Sequence, residues 1–248
     1  MTSFYLALAL TLAATLNARH AVVRAAGNLI AAIALGFLAW SIVLANRDGS
    51  FAAAPATSHT PLLLNLEAMV FTLGAGLLIA TIPRQLRRPA EPIPLRGTTT
   101  AYGQITRLLH WSSAVLIIAA FTMGQFVSIL APGAPERAQF LATHTAIGGA
   151  IFLLGFARMI ERLLKPAPPT PDLARIGHFL LYAVITAFCV TGLAMVDAPV
   201  ALLGLQLPNL PADPVAEPLH RGPLQLAFAL LLAGHLYGAI RAIRRMAR

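Results

Sequence analysis

The chain has 248 residues, 58% of them hydrophobic and only 11% charged, with a mean hydropathy of +0.75, which excludes an ordinary soluble domain and describes an integral membrane protein in contact with lipid. Its formal charge of +9, from 18 basic against 9 acidic residues, sits mostly on arginines between apolar runs, where the positive-inside rule wants them, so no nucleic acid is expected as a partner. The single cysteine, Cys189, excludes an internal disulfide, a cysteine-held iron–sulfur cluster and a zinc–thiolate site, and reads as a small apolar side chain.

Seven apolar runs follow one another at approximately 2–18, 25–46, 62–82, 104–130, 140–162, 175–196 and 219–241. Each is close to the roughly 20 residues that a helix needs to cross about 30 Å of hydrocarbon. The first, in MTSFYLALALTLAATLNA, has no basic residue ahead of its apolar stretch and no good small-x-small cleavage site, so it is expected to remain as a span. Arg19 and Arg24 follow the first run, and Arg84, Arg87, Arg88 and Arg96 the third. Arg158, Arg162, Lys165 and Arg175 surround the connection from the fifth to the sixth, and Arg241, Arg244, Arg245 and Arg248 close the chain. All four groups fall on one side, which predicts an N-terminus outside and a C-terminus in the cytoplasm. Segment 83–101, PRQLRRPAEPIPLRGTTTA, separates three spans without an internal histidine from four spans with five. Rich in proline and arginine, it divides the chain into a three-helix membrane module at 1–82, a cytoplasmic linker at 83–101 and a four-helix unit at 102–248.

The last run, EPLHRGPLQLAFALLLAGHLYGAIRAIRR, places His220 and His235 in one apolar segment. As one continuous helix, their separation of 15 positions is four turns plus roughly 60°, and about 22 Å of rise, so they share a face at two depths. Each has a counterpart at its own depth. His144 opens the fifth span from outside, and His110 lies in the first two turns of the fourth coming from inside. The level pairs are therefore His110 with His235 and His144 with His220. Any one intramembrane histidine can simply hydrogen-bond a neighbouring helix. Two level pairs across a bundle instead describe bis-imidazole ligation of two b-type haems. Zinc is disfavoured, because no carboxylate or cysteine lies close in sequence to complete a tetrahedral set.

RLLHW at 107–111, THTAIGGAIFLLGFARMIERL at 143–163, ARIGHFLLYAVITAFCVTGLAM at 174–195, LGLQLPNLP at 203–211, and PLH followed by AGHLYGA together resemble the bacterial cytochrome b561 family over about residues 102–248. That resemblance implies a four-helix, di-haem cytochrome of the bacterial inner membrane, with His110, His144, His220 and His235 as haem ligands. The family includes superoxide oxidases, and the enzyme version implied by the resemblance oxidises superoxide at the outer face and reduces ubiquinone; whether this chain is such an enzyme is left open by the sequence. Arg221 stands where the family often has an acidic residue, and RAIRRMAR where it often has further histidines.

Around these positions several residues have two readings. Arg107, three residues before His110, either pairs with haem propionates or anchors the topology, and Arg158 has the same two readings. Gly148 and Gly149, one turn after His144, either admit a porphyrin to the backbone or pack helices. His178, beside Arg175, is not expected to be an axial ligand; it either contacts a propionate or quinone or is an interfacial residue. His20 and His59 fall in loops. Glu67 lies about 9 Å into the third span, an intramembrane carboxylate that is either functional or a hydrogen-bonded acid between helices.

The expected protein is thus an all-α membrane protein of seven transmembrane helices, the last four forming a di-haem bundle that exchanges electrons with membrane quinone. The alternatives are an electron-transfer subunit served by a separate redox partner subunit, with the first three helices as docking module, and a haem-free scaffold or transporter.

Overall fold

The computed structural model of the chain describes residues 11–47 other than 13, 17 and 19, then 61–87, 93–164, 168–196, 200–202, 205–207 and 210–246. Its elements are α1 (Ala21–Arg47), α2 (Pro61–Arg87), α3 (Gln104–Ile129), α4 (Pro135–Leu164), α5 (Asp172–Leu193), β1 (Val200–Leu202), β2 (Leu205–Leu207), α6 (Ala216–Arg221) and α7 (Pro223–Met246). Among the described residues six stretches are long and apolar enough to cross a membrane: Ala21–Leu44, Asn65–Arg87, Gln104–Ile129, Pro135–Leu164, Asp172–Leu193 and Ala216–Ala239. The expected first span, 2–18, falls largely outside the described residues, although 11, 12 and 14–16 are helical.

Proline sets several helix starts. Pro61, Pro135 and Pro223 each occupy the first helical position, where a missing N–H costs nothing and the fixed φ suits the helix. The last span is not the continuous helix expected of 219–241. It breaks at Gly222, whose φ of −124° and ψ of −91° are non-helical, because the ring of Pro223 disfavours helical geometry in the residue before it. His220 therefore belongs to the short α6 and His235 to α7. Other boundaries differ too. α4 begins at Pro135, so His144 lies nine positions inside it and not at its opening. α2 runs through Pro83 to Arg87, so the first residues of the expected linker are helical. β1 and β2 pair antiparallel, Val200 against Leu207, in the connection between α5 and α6.

Segment 93–103 caps α3. The backbone N–H groups of Gln104 and Ile105, which have no partner inside the helix, donate to Pro94 O at 2.9 Å and Leu95 O at 3.2 Å. The Gln104 side-chain amide donates to Ile93 O at 2.8 Å. Gly103 permits this return, since a Cβ there would lie 2.4 Å from the carbonyl carbon of Arg96.

Two apolar seams hold the helices. In the first, Leu116 and Ala120 of α3 pack with Ile147, Ala150 and Ile151 of α4. The second joins Leu38, Ala39 and Ile42 of α1 to Ala68 and Phe71 of α2 and reaches Phe121 of α3, whose ring meets that of Phe71 edge-on at 5.3 Å. Alanines recur in both because lipid is as apolar as a side chain, so close backbone approach stabilises such contacts more than hydrophobicity does. Polar crosslinks reinforce them: Asn28 Nδ2 donates to Thr81 Oγ1 at 2.6 Å, and Thr106 Oγ1 to Glu161 Oε1 at 2.5 Å. Large apolar side chains such as Phe37 and Trp40 are exposed, the pattern of a surface made for lipid.

Candidate functional site

Four histidines from four helices meet in two pairs. His110 of α3 faces His235 of α7 with ring centres 6.1 Å apart, and His144 of α4 faces His220 of α6 at 6.2 Å. All four are half-buried. Two imidazoles that bind opposite sides of one metal ion through a nitrogen each, at about 2 Å, have ring centres roughly 6 Å apart. Both separations match that span. Among the described residues no group of three or more histidines, cysteines and carboxylates is arranged to hold a bare metal ion. Two facing imidazoles suit a macrocycle that brings its own equatorial nitrogens.

The pairs lie at two levels, kept apart by helix rise. On α3, His110 precedes Gly124 by 14 residues; on α4, His144 precedes Arg158 by 14; on α5, His178 precedes Gly192 by 14. Fourteen residues rise about 21 Å and return to within about 40° of the same face. Three helices thus each present one residue to the level of His110 and another to the level of His144.

At the His144 level the rings are fixed by hydrogen bonds that orient them. His144 Nδ1 lies 2.7 Å from Ala120 O and donates to it, which leaves Nε2 with its lone pair. His220 Nδ1 lies 2.8 Å from Thr191 Oγ1. That hydroxyl gives its own hydrogen to Ala187 O at 2.7 Å, so it accepts from His220, again leaving Nε2 as the free base. Such outer partners fix the tautomer and raise ligand basicity. Glycines make room for both rings: a Cβ on Gly124 would stand 3.3 Å from His144 Cε1, and one on Gly192 would stand 3.4 Å from His220 Cε1. Neither glycine nor Thr191 was singled out from the sequence, although the 14-residue spacing from a histidine was there to be read. Gly149 is buried and Gly148 half-buried, and Gly148 O accepts a long contact from Cys189 Sγ at 3.7 Å. The ring of Phe188 lies edge-on to His220 at 5.0 Å, and Arg221 pairs with Glu217 at 3.2 Å.

The His110 level is more cationic. Arg158 Nη2 lies 3.4 Å from His110 Nδ1, long for a hydrogen bond, and the same guanidinium stands 5.1 Å over the ring of Tyr182. The ring of His178 packs edge-on against His235 at 5.2 Å, and its Nδ1 donates to Ala174 O at 2.5 Å. At that separation the two rings are too close to flank one metal ion between them. Arg107, half-buried, sits in the first turn of α3, one turn before His110. Arg175 pairs with Asp172 at the start of α5. Glu67 is buried against Gln125 of α3 at 3.5 Å. His20 lies exposed just ahead of α1, and His59 falls outside the described residues.

Comparison with known proteins accords with this arrangement. A family model described as prokaryotic cytochrome b561 matches residues 101–247. Cytochrome b561 homolog 2 of Escherichia coli (strain K12) is 27% identical over 158 residues, covering 57% of this chain and 83% of that protein. No solved structure matches. With its family match spanning α3 to α7 and its helices suited to lipid, the chain belongs to the prokaryotic cytochrome b561 family, multi-pass membrane proteins that transfer electrons through b-type haem.

Proposed function

We propose that the chain carries electrons across the bacterial inner membrane through two b-type haems, an inner one bound by His110 and His235 and an outer one bound by His144 and His220. The observation that carries this reading is the pair of ring separations, 6.1 and 6.2 Å, at levels that helix rise keeps about 21 Å apart. Haem, when bound, supplies the one-electron chemistry. The protein's part is to aim four imidazoles, exclude water and stabilise charge. Arg158 and Arg107 are suited to pair with propionates at the inner level. On this reading residues 102–248 are the cytochrome unit, and 1–82 a helical module packed beside it and joined to it through the 83–101 segment.

Quinone is the proposed exchange partner at the inner level. A small apolar cleft between α4 and α5 is lined by Phe152, Phe156, Met159, Tyr182 and Ile185. The Arg158–Tyr182 contact at its rim and the exposed His178 suit a polar head group such as that of ubiquinone. At the outer level, Arg221 adjoins His220, and its side chain is only 19% exposed. Glu217, paired with it at 3.2 Å, offsets its charge, so superoxide is proposed as the species oxidised on the family resemblance alone.

The arginine distribution puts the C-terminus in the cytoplasm. A C-terminal alkaline phosphatase fusion should therefore be inactive and a fluorescent fusion bright; an active phosphatase contradicts the orientation. His144→Ala or His220→Ala should remove the outer haem and spare the inner one, with His110→Ala and His235→Ala doing the reverse, as read by potentiometric titration of the four variants. Loss of the same haem from His144→Ala and His235→Ala would overturn the pairing. His178→Ala should keep both haems low-spin. It should also slow re-oxidation of the dithionite-reduced protein by a short-chain quinone, by roughly five-fold to a hundred-fold if one hydrogen bond of about 1–3 kcal/mol is lost at that step. Unchanged stopped-flow kinetics would return His178 to an interfacial role.

A further inference from the structure

Glu67 of α2 and Gln125 of α3 are 2% and 7% exposed, within the apolar seam where Ala68 and Phe71 pack against α1 and α3. Gln125 Nε2 faces Glu67 Oε2 at 3.5 Å, a long contact for a hydrogen bond. The other two side-chain oxygens, Glu67 Oε1 and Gln125 Oε1, both lack a partner. The pair has a surplus of acceptors and is short of one donor. Among the described residues the ion pairs are Arg175 with Asp172 and Arg221 with Glu217, so no cation neutralises Glu67. An unpaired carboxylate at this depth would be costly. A single proton on Glu67 Oε1 removes the charge and supplies the donor that the pair lacks.

The stretch of α3 that carries Gln125 also lies against His144 of α4. Ala120 O accepts from His144 Nδ1 at 2.7 Å, and Gly124, next to Gln125, is the residue against which the His144 ring lies. One wall of helix thus separates the acid–amide pair from the outer histidines. Among titratable groups on the packed elements, α1 has Arg24 and Arg47 near its ends, and α3 has Arg107 and His110 in its first two turns. α7 has His235 and, in its last two turns, Arg241, Arg244 and Arg245, while α4 contributes His144 beyond α3 and Arg137, whose Nε donates to Val127 O at 3.2 Å.

We propose that Glu67 and Gln125 form a one-proton site, a carboxylic acid clasped by an amide, that sets the electron affinity of the outer level. This rests on the reading that His144 holds a haem. With the proton in place the helix wall is neutral. Without it, a negative charge about one helix diameter away opposes addition of an electron; at about 10 Å and an effective dielectric near 20, that weakens reduction by roughly ten-fold.

The whole haem-loaded chain serves for the test. The infrared spectrum of wild type should contain a protonated-carboxyl C=O stretch that Glu67→Gln abolishes and Gln125→Met shifts without abolishing. As pH is raised into the alkaline range, the outer haem of wild type should become roughly ten-fold harder to reduce than that of Glu67→Gln, with the inner haem shifted by only about three-fold. Identical carboxyl spectra in wild type and Glu67→Gln would overturn the proton site, and parallel pH courses would overturn its link to the haem. If His144→Ala keeps both haems, the haem assignment and the link fail together, while the infrared comparison still decides whether Glu67 carries a proton.

Discussion

On the proposed reading one distance governs this bundle: the roughly 6 Å between the ring centres of two imidazoles that share a metal ion. To meet it, His110 and His235 must arrive at one level and His144 and His220 at another, from helices that run in different directions and begin in different places. Helix rise does the placing. A repeat of 14 residues on α3, α4 and α5 returns nearly the same face about 21 Å further on, so each of these helices addresses both levels. The fourth contribution is split, because the Gly222–Pro223 break makes α6 and α7 separate pieces. His220 can then be aimed by Thr191 independently of His235.

The two levels differ chemically. Around His144 and His220 the neighbours are acceptors, Ala120 O and Thr191 Oγ1, which draw Nδ1–H and make the imidazoles better electron donors. Around His110 the neighbour is the Arg158 guanidinium. For a haem at each level, basic ligands stabilise the oxidised iron and a nearby cation stabilises the reduced form. On the proposed reading the outer level is therefore the weaker electron acceptor, and electrons entering there run downhill to the inner one. Arg221, beside His220, is paired with Glu217 and so adds little net charge at the outer level.

The pairing of histidines was legible in the sequence because it depends on rise per residue and on which side a helix enters, both nearly invariant. The straightness of the last span was not safe to assume, and Gly222–Pro223 was a visible warning. Helix ends were less legible: α2 carries Pro83 and still continues to Arg87, because packing overrides a local preference. Contacts between distant segments were the least accessible. Glu67 and Gln125 are 58 residues apart, and nothing local to either names the other. Thr191 and the two glycines were hidden for the same reason: their importance comes from a ring on another helix.

The most direct measurement is the haem content of the purified, haem-replete chain by pyridine haemochrome. Two level pairs, and no CxxCH attachment sequence, predict two non-covalent haems b per polypeptide. One haem per chain, or none, would contradict the two-level architecture.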